Sequence, residues 1–342
     1  MRANANVCVI IAAKNAAATI GRAVRSALAE PETAEVVVID DGSSDETAAI
    51  ARQADDGTAR LKIARFEVNQ GPAAARNRAI SISTAPVIAI LDADDFFFPG
   101  RLKNLVSHRD WDFIADNIAF VDEENAATAH LALDDFDAAP RAISLLEFIE
   151  GNISKRGVRR GEIGFLKPLM RRAFLDEHRL RYQESLRLGE DYDLYVRALT
   201  KGARYTIIHS CGYGAVVRGN SLSGSHRTID LQRLYEADRA ILAENTLSGE
   251  ARTLVSRHER HIRRRYELRE FLDVKKRSGA AAALLHALLR PSALPAIAGG
   301  ILADKTDRFR SRAQAAPVAL GGSGALRYLL QQPARDGARR QK

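Results

Sequence analysis

Two acidic clusters carry the chemistry of this sequence: Asp40-Asp41, within Val36-Val37-Val38-Ile39-Asp40-Asp41-Gly42-Ser43-Ser44-Asp45, and Asp92-Ala93-Asp94-Asp95, after Val87-Ile88-Ala89-Ile90-Leu91. Each follows an unbroken apolar run. Such a run marks a strand covered on both faces, and in an open α/β sheet ligands bind beyond the carboxyl ends of the strands. Carboxylates gathered there repel one another unless a cation or a donor-rich ligand lies between them. Asp92-x-Asp94 is a hard-oxygen site suited to Mg²⁺ or Mn²⁺, which bind through a few carboxylates plus substrate phosphates. A plain turn also favours aspartate, so the weight falls on the pairing with Asp41 at the end of an earlier strand. A metal nucleotide satisfies both clusters.

The elements that must position these residues alternate along the first hundred residues. Strands are expected at Val7 to Ile11, Val36 to Ile39, Leu61 to Ala64 and Val87 to Leu91, with helices at Thr19 to Ala29, Glu46 to Ala54 and Pro72 to Ile82. That order argues for an α/β fold: a mostly parallel sheet with right-handed crossovers and helices on both faces. Ser43 with Glu46 reads as a capping box, and Gly71-Pro72 places proline at a helix start. Further on, the pattern predicts a strand from Asp112 to Val121, a short helix from Ile143 to Ile149 and a basic loop from Ser154 to Arg160. A helix follows from Glu190 to Lys201, then apolar runs at Tyr205 to Ile208 and Tyr213 to Val217. Acids at a helix start suit the macrodipole, but Asp191 shares a face with Leu194, Tyr195 and Ala198, which points it inward. From Ile229 to about Leu289 the chain reads as helical, interrupted at Gly249 and Gly279, and 315–342 is low in order-forming sequence.

The chain has 342 residues and a net charge of +8, enough for one core of some 220 to 250 residues plus an appendage. No stretch reaches the ~18 apolar residues needed to span a bilayer. The first apolar run, Val7 to Ala13, is too short for a signal sequence and lacks a cleavage site. Cys8 and Cys211 do not make a disulfide framework, and a reducing cytoplasm is expected. Arg and Lys crowd the segment Arg252 to Arg277 and the tail from Lys305. Such a region suits anionic lipid or a solvated helix face equally, and no helix-turn-helix, zinc or aromatic motif accompanies it to suggest nucleic acid. Ala280 to Leu289 is apolar and about three turns long at ~1.5 Å per residue. That is too short to cross a membrane; it suits a packed terminal helix or an interfacial one.

Five pieces, Val7 to Asn15, Asp40 to Asp45, Asn69-x-Gly71 through Ala75-Arg76-Asn77, Asp92-x-Asp94 and Gly189-Glu190-Asp191, occur in the order and spacing of family 2 glycosyltransferases. The chain resembles a bacterial member of that inverting, nucleotide-sugar-dependent family over roughly residues 5–225. Its first part most resembles the exopolysaccharide type, including succinoglycan glucosyltransferases. The resemblance implies a GT-A domain over 1–228; beyond it the helical pattern reads as an extension over 229–314 and the composition as a basic, disordered tail over 315–342.

It also implies roles. Asp41, with Asp40 as neighbour, would bind the base of a uridine nucleotide. Arg76 would help hold that nucleotide, Asp92 would support the ribose and metal region, and Asp94 would ligate Mg²⁺ or Mn²⁺ on the diphosphate. Glu190 and Asp191 would lie near the acceptor, with Asp191 as catalytic base. Arg218 and Ser223 supply a cation and a hydroxyl for the diphosphate, or belong to a polar turn. Relatives often carry proline and tyrosine where Ala12 and Lys14 stand. Trp111, the only tryptophan, suits either a sugar ring or the core. The resemblance thus implies transfer from a UDP-sugar, with glucose favoured, to a saccharide or lipid-linked saccharide acceptor. The enzyme would be cytoplasmic, held at the inner face of the membrane by its basic carboxyl region. A catalytically silent binding relative is the alternative, and the presence of Asp191 argues against it.

Overall fold

The computed structural model describes residues 6–126, 128–129, 133, 139–153, 163–217, 227–244, 247–302 and 326–330. Two compact units result: Met1–Asn220 together with Leu326–Lys342, and Ser221–Ala325. The first is built from β1 (Val7–Ala13), α1 (Ile20–Leu28), β2 (Thr33–Asp40), α2 (Thr47–Gln53), β3 (Leu61–Arg65), α3 (Pro72–Ile82), β4 (Val87–Ile90) and β5 (Phe96–Phe97). It continues through α4 (Arg101–Ser107), β6 (Phe113–Asp122), β7 (Arg141–Ile143), α5 (Leu145–Gly151), β8 (Leu169–Arg171), α6 (Arg172–Glu177), α7 (Glu190–Thr200) and β9 (Tyr205–Val217). The second unit holds α8 (Thr228–Ala243) and α9 (Gly249–Leu288); β10 (Arg327–Tyr328) belongs to the first.

One mixed sheet forms in the order β3-β2-β1-β4-β8-β6-β9-β5, with β10 on β6 and β7 on β9. Strands β3, β2, β1 and β4 are parallel, β8 runs antiparallel between β4 and β6, and β6 pairs with β9 in parallel. The apolar runs in β1, β2 and β4 are buried on both faces, as doubly covered strands must be. In α3 the buried face is made largely of Ala73, Ala74, Ala75 and Ala79. Their small side chains let the helix lie close to the sheet, which brings Arg76 beneath the end of β4.

Several expectations are corrected. Ser43 and Glu46 form no capping box: the Ser43 hydroxyl accepts the Asn15 N–H at 2.9 Å, and Asp45 accepts the Thr47 N–H at 3.1 Å. The loop after β2 turns back across the end of β1, which diverts Ser43 from the helix. The runs at Tyr205 to Ile208 and Tyr213 to Val217 are one strand, β9. Ile143 lies in β7, and the helix after it starts at Leu145, where Ser144 caps it by accepting the Glu147 N–H. Residues 326–330, read from composition as tail, are ordered. Tyr328 pairs with Ala119 in β6, and Asn117 exchanges side-chain hydrogen bonds of 2.9 and 2.8 Å with the Leu330 backbone. Cys8 and Cys211 are both free.

In the second unit α8 and α9 are joined by a buried Asp238–His258 contact of 2.7 Å and an Arg239–Glu259 ion pair of 2.9 Å. Helix α9 breaks direction at Gly279, whose φ of 86° lies in the left-handed region.

Candidate active site

The loops after β1, β2 and β3 are laced together at the carboxyl end of the sheet. Lys14 Nζ donates to the Gly42 carbonyl at 3.2 Å, and the Ser44 N–H donates to Asn15 at 2.9 Å. Asp41 accepts the Gln70 N–H at 2.6 Å and the Gly71 N–H at 2.9 Å, so its carboxylate ties the loop after β2 to the start of α3. Gly71 has φ of 100°, and this left-handed bend lets both N–H groups reach one carboxylate. Asp40 is different. It is 0% exposed, accepts the Ser43 N–H at 2.9 Å and lies 3.5 Å from Arg65. In this structure its carboxylate shapes the loop after β2.

A charged hub joins the second cluster to α7. Arg76 Nη2 reaches Asp92 at 2.9 Å, while Nη1 reaches Glu190 and Asp191 at 3.0 Å each. Lys167 Nζ lies 2.9 Å from Asp92 and 2.9 Å from Asp191. The register explains the lysine's position: Ala89 of β4 faces Leu169 of β8, and continuing that antiparallel pairing brings Lys167 level with the residues after Ile90. Sequence reasoning missed Lys167, although Phe165-Leu166-Lys167-Pro168-Leu169 carries a signal. A lone cation in an apolar stretch is buried only when paired.

The hub's electrostatics follow from its contacts. Burial alone would raise the Asp92 pKa, but Lys167 and Arg76 override it and hold the carboxyl well below its usual range. Burial would lower Lys167, but attraction to Asp191 and then Asp92 raises it. Glu190 is raised by burial, with Asp191 adding to the shift and Arg76 opposing it. The buried guanidinium of Arg76, expected to help hold the nucleotide, serves three carboxylates and lies over the Tyr182 ring at 5.3 Å.

Asp94 stands in the turn after β4, partly buried, and its carbonyl accepts from Arg22 at 2.9 Å. Arg22 also lines a cleft of about 480 Å³ with Arg25, Ser26, Phe96, Glu123, Glu124 and Ala126. Asp95 turns inward, accepting from the Tyr213 hydroxyl at 2.8 Å and the Val216 N–H at 2.9 Å. Burial raises its pKa to about 7, with Asp92 and Asp94 adding to the shift.

Among the described residues no group of three His, Cys, Asp or Glu side chains is placed to cage a metal. Asp92 is engaged by Arg76 and Lys167, and Asp94 follows it in the same turn as the second carboxylate of the Asp92-x-Asp94 pair. This donor set fits an ion that shares its coordination with substrate phosphates, as Mg²⁺ does with one or two carboxylates.

Of its two readings, Trp111 takes the core. It is 2% exposed, donates to the His108 carbonyl at 2.9 Å and carries Arg171 at 4.3 Å over its ring. Arg171 pairs with Val87 at the start of β4, so Trp111 lies at the opposite end of that strand from Asp92. Arg218 and Ser223 lie outside the described residues.

Comparison with known proteins agrees with this geometry. The family description Glycosyl transferase family 2 matches residues 8–176. The succinoglycan biosynthesis protein ExoU of Rhizobium meliloti (strain 1021) is 71% identical over 331 residues, covering 97% of each chain. Among solved structures, S. aureus TarS 1-349 in complex with UDP-GlcNAc superposes with a TM-score of 0.57 at 22% identity, covering 79% of this chain and 74% of that one. The mannosyltransferase PcManGT from Pyrobaculum calidifontis, in complex with GDP-Man and Mn²⁺, gives 0.51 at 18% identity, covering 87% and 80%. A mostly parallel sheet bearing carboxylates at its carboxyl end, the family match and a relative similar along nearly its whole length lead to one assignment: the chain belongs to glycosyl transferase family 2 and is a glycosyltransferase of the GT-A fold.

Proposed function

We propose that this glycosyltransferase moves a sugar, glucose first among the candidates, from a UDP-sugar to a lipid-linked saccharide intermediate of an exopolysaccharide, with inversion at the anomeric carbon. The observation that carries this reading is the hub. Arg76 and Lys167 bind Asp92, at the end of a sheet strand, and Asp191, at the head of α7, through the same two cations. A single displacement needs its base and its leaving group held at fixed spacing on opposite sides of the reacting carbon. The shared cations supply that spacing.

Asp41 would receive the pyrimidine. A carboxylate offers about four lone-pair positions, and its two backbone N–H contacts leave room for a base N–H. Asp92 would lie by the ribose, and Asp94 would hold Mg²⁺ or Mn²⁺. When bound there, such an ion neutralises the charge that builds on the departing diphosphate. Asp191 takes the proton from the attacking hydroxyl; Arg76 and Lys167 occupy one position on each of its oxygens, leaving acceptor capacity on both. The UDP-GlcNAc in the TarS complex and the Mn²⁺ in the PcManGT complex support a nucleotide-sugar and a divalent ion. The ExoU relative supports a polysaccharide product.

Glu190 has a rival claim to the base role, because burial raises its pKa. The two are separated by substitution. Asp191→Asn should lower UDP release in the presence of acceptor by about 10²- to 10⁴-fold while calorimetry finds UDP-sugar binding retained. Glu190→Gln should leave turnover within about tenfold of the parent. The reverse pattern would move the base to Glu190.

A further inference from the structure

Among the described residues of the second unit, an apolar surface is left uncovered by the packing. Beyond Gly279, α9 runs on to Leu288, and a helix over Pro291–Leu302 follows at an angle of 102°. The inner side is fixed: Ala287, Ala293 and Ile297 form a small core with Phe271 and Ile301, and Arg290 pairs with Glu270 at 2.6 Å. Gly300 lies so close to Leu268 that a Cβ would come within 2.4 Å of it.

The outer side is leucine. Leu284, Leu285, Leu288 and Leu289 are 58–75% exposed, and Leu302 is 65% exposed. At about 100° per residue the first four fall within one arc of about 140°, opposite Ala283 and Ala287. Scattered surface leucines are ordinary, but a contiguous set marks an interaction face. No Asp or Glu occurs between Asp273 and Asp304, whereas Lys275, Lys276 and Arg277 lie exposed just before the bend.

We propose that this face docks on a bilayer bearing anionic headgroups, with the leucines in the acyl boundary and Lys275, Lys276 and Arg277 at headgroup depth. Among the described residues no single helix is long and apolar enough to cross, and the bent pair turns too sharply to run straight through. That bend leaves a surface-lying or a re-entrant element, and the exposed basic run just before the apolar face favours the first. A second copy of the chain fits less well, because pairing two such faces would bring like-charged clusters together, while anionic lipid complements them. The inference rests on the lipid-linked acceptor proposed above, since docking would hold the enzyme where that acceptor is presented.

The test is sedimentation of the full chain with vesicles of phosphatidylcholine alone and of equal parts phosphatidylcholine and phosphatidylglycerol. The parent should bind the mixed vesicles at least about tenfold more tightly. Leu285→Ser with Leu289→Ser should lose that binding by about tenfold at unchanged helical circular dichroism. Lys275→Gln with Lys276→Gln and Arg277→Gln should remove the preference for anionic lipid. A leucine variant that binds like the parent overturns the proposal, as does a concentration-dependent dimer that the leucine variant abolishes without any vesicle binding. UDP release with a lipid-linked saccharide acceptor dispersed in detergent, measured in parallel, separates the two readings. Intact release without vesicle binding removes the docking face alone; vesicle binding without release removes the proposed reaction and leaves the face.

Discussion

Lys167 touches both Asp92 and Asp191 at 2.9 Å in a buried setting, so its removal leaves Asp92, Glu190 and Asp191 sharing Arg76 alone. Breaking one partner out of a buried ion pair costs about 3–5 kcal/mol. Lys167→Met should therefore lower stability in urea unfolding by about 3 kcal/mol. It should also reduce UDP release by about a hundredfold, since misplacement of about 1 Å at a reacting centre has that effect. Retained turnover would show that the lysine is structural only. Asp94 is tested by metal removal: chelation should abolish turnover, Mg²⁺ or Mn²⁺ should restore it, and Asp94→Asn should raise the metal concentration needed by about tenfold or more. At this scale the acidic clusters could be picked out as candidates, because carboxylates that follow unbroken apolar runs stand where ligands bind in an open α/β sheet. Their pairing with cations could not. The three carboxylates around Arg76 come from two distant parts of the chain, and Lys167 depends on a register that no local pattern encodes.

At the scale of elements, the parallel half of the sheet could be read because β1, β2 and β4 are unbroken apolar runs with helices between them. Strands β5 and β8 could not, since two or three residues carry no period; β8 exists because β4 and β6 stand open on either side of it. The long β9 was split in the reading by Ser210, Cys211 and Gly212, yet Gly212 is what permits its course. A Cβ there would come within 2.4 Å of Arg101 Cγ and 2.5 Å of Asp116 Oδ2, and those two side chains form a buried ion pair at 2.8 Å. Gly212→Ala must push that pair apart or bend the strand. We expect a loss of about 2–4 kcal/mol, of the order of a disturbed buried charge pair, read as a shift of the urea midpoint. An unshifted midpoint would mean that Arg101 swings clear at no cost.

For the whole molecule, the consequence of the chain's path is that the catalytic unit is not continuous in sequence. It is interrupted by Ser221–Ala325 and completed by residues near the carboxyl terminus. Composition hid this, because the return segment is short and surrounded by basic, low-complexity sequence. Its contacts are specific all the same. Tyr328 and Arg327 pair with Ala119 and Phe120, Leu326 and Tyr328 pack against the cluster of Phe96, Phe98, Ala119 and Val121, and Asn117 holds Leu330 at both its N–H and its carbonyl. A chain ending at Ala325 would expose the second half of β6 and leave the fully buried Asn117 without those two hydrogen bonds. Unsatisfied buried amides cost about 1–3 kcal/mol, and the lost apolar contacts add to that. For a unit of this size each 1 kcal/mol moves the midpoint by about 2–4 °C. The chain ending at Ala325 should therefore melt about 5–10 °C below the full chain, while a chain ending at Leu330 keeps β10 and serves as the control. Equal melting of all three would show that β10 contributes nothing to the catalytic unit. A lower midpoint for the shortest chain alone, with UDP-sugar binding reduced in parallel, would show that the far end of the sequence is part of the enzyme's sheet.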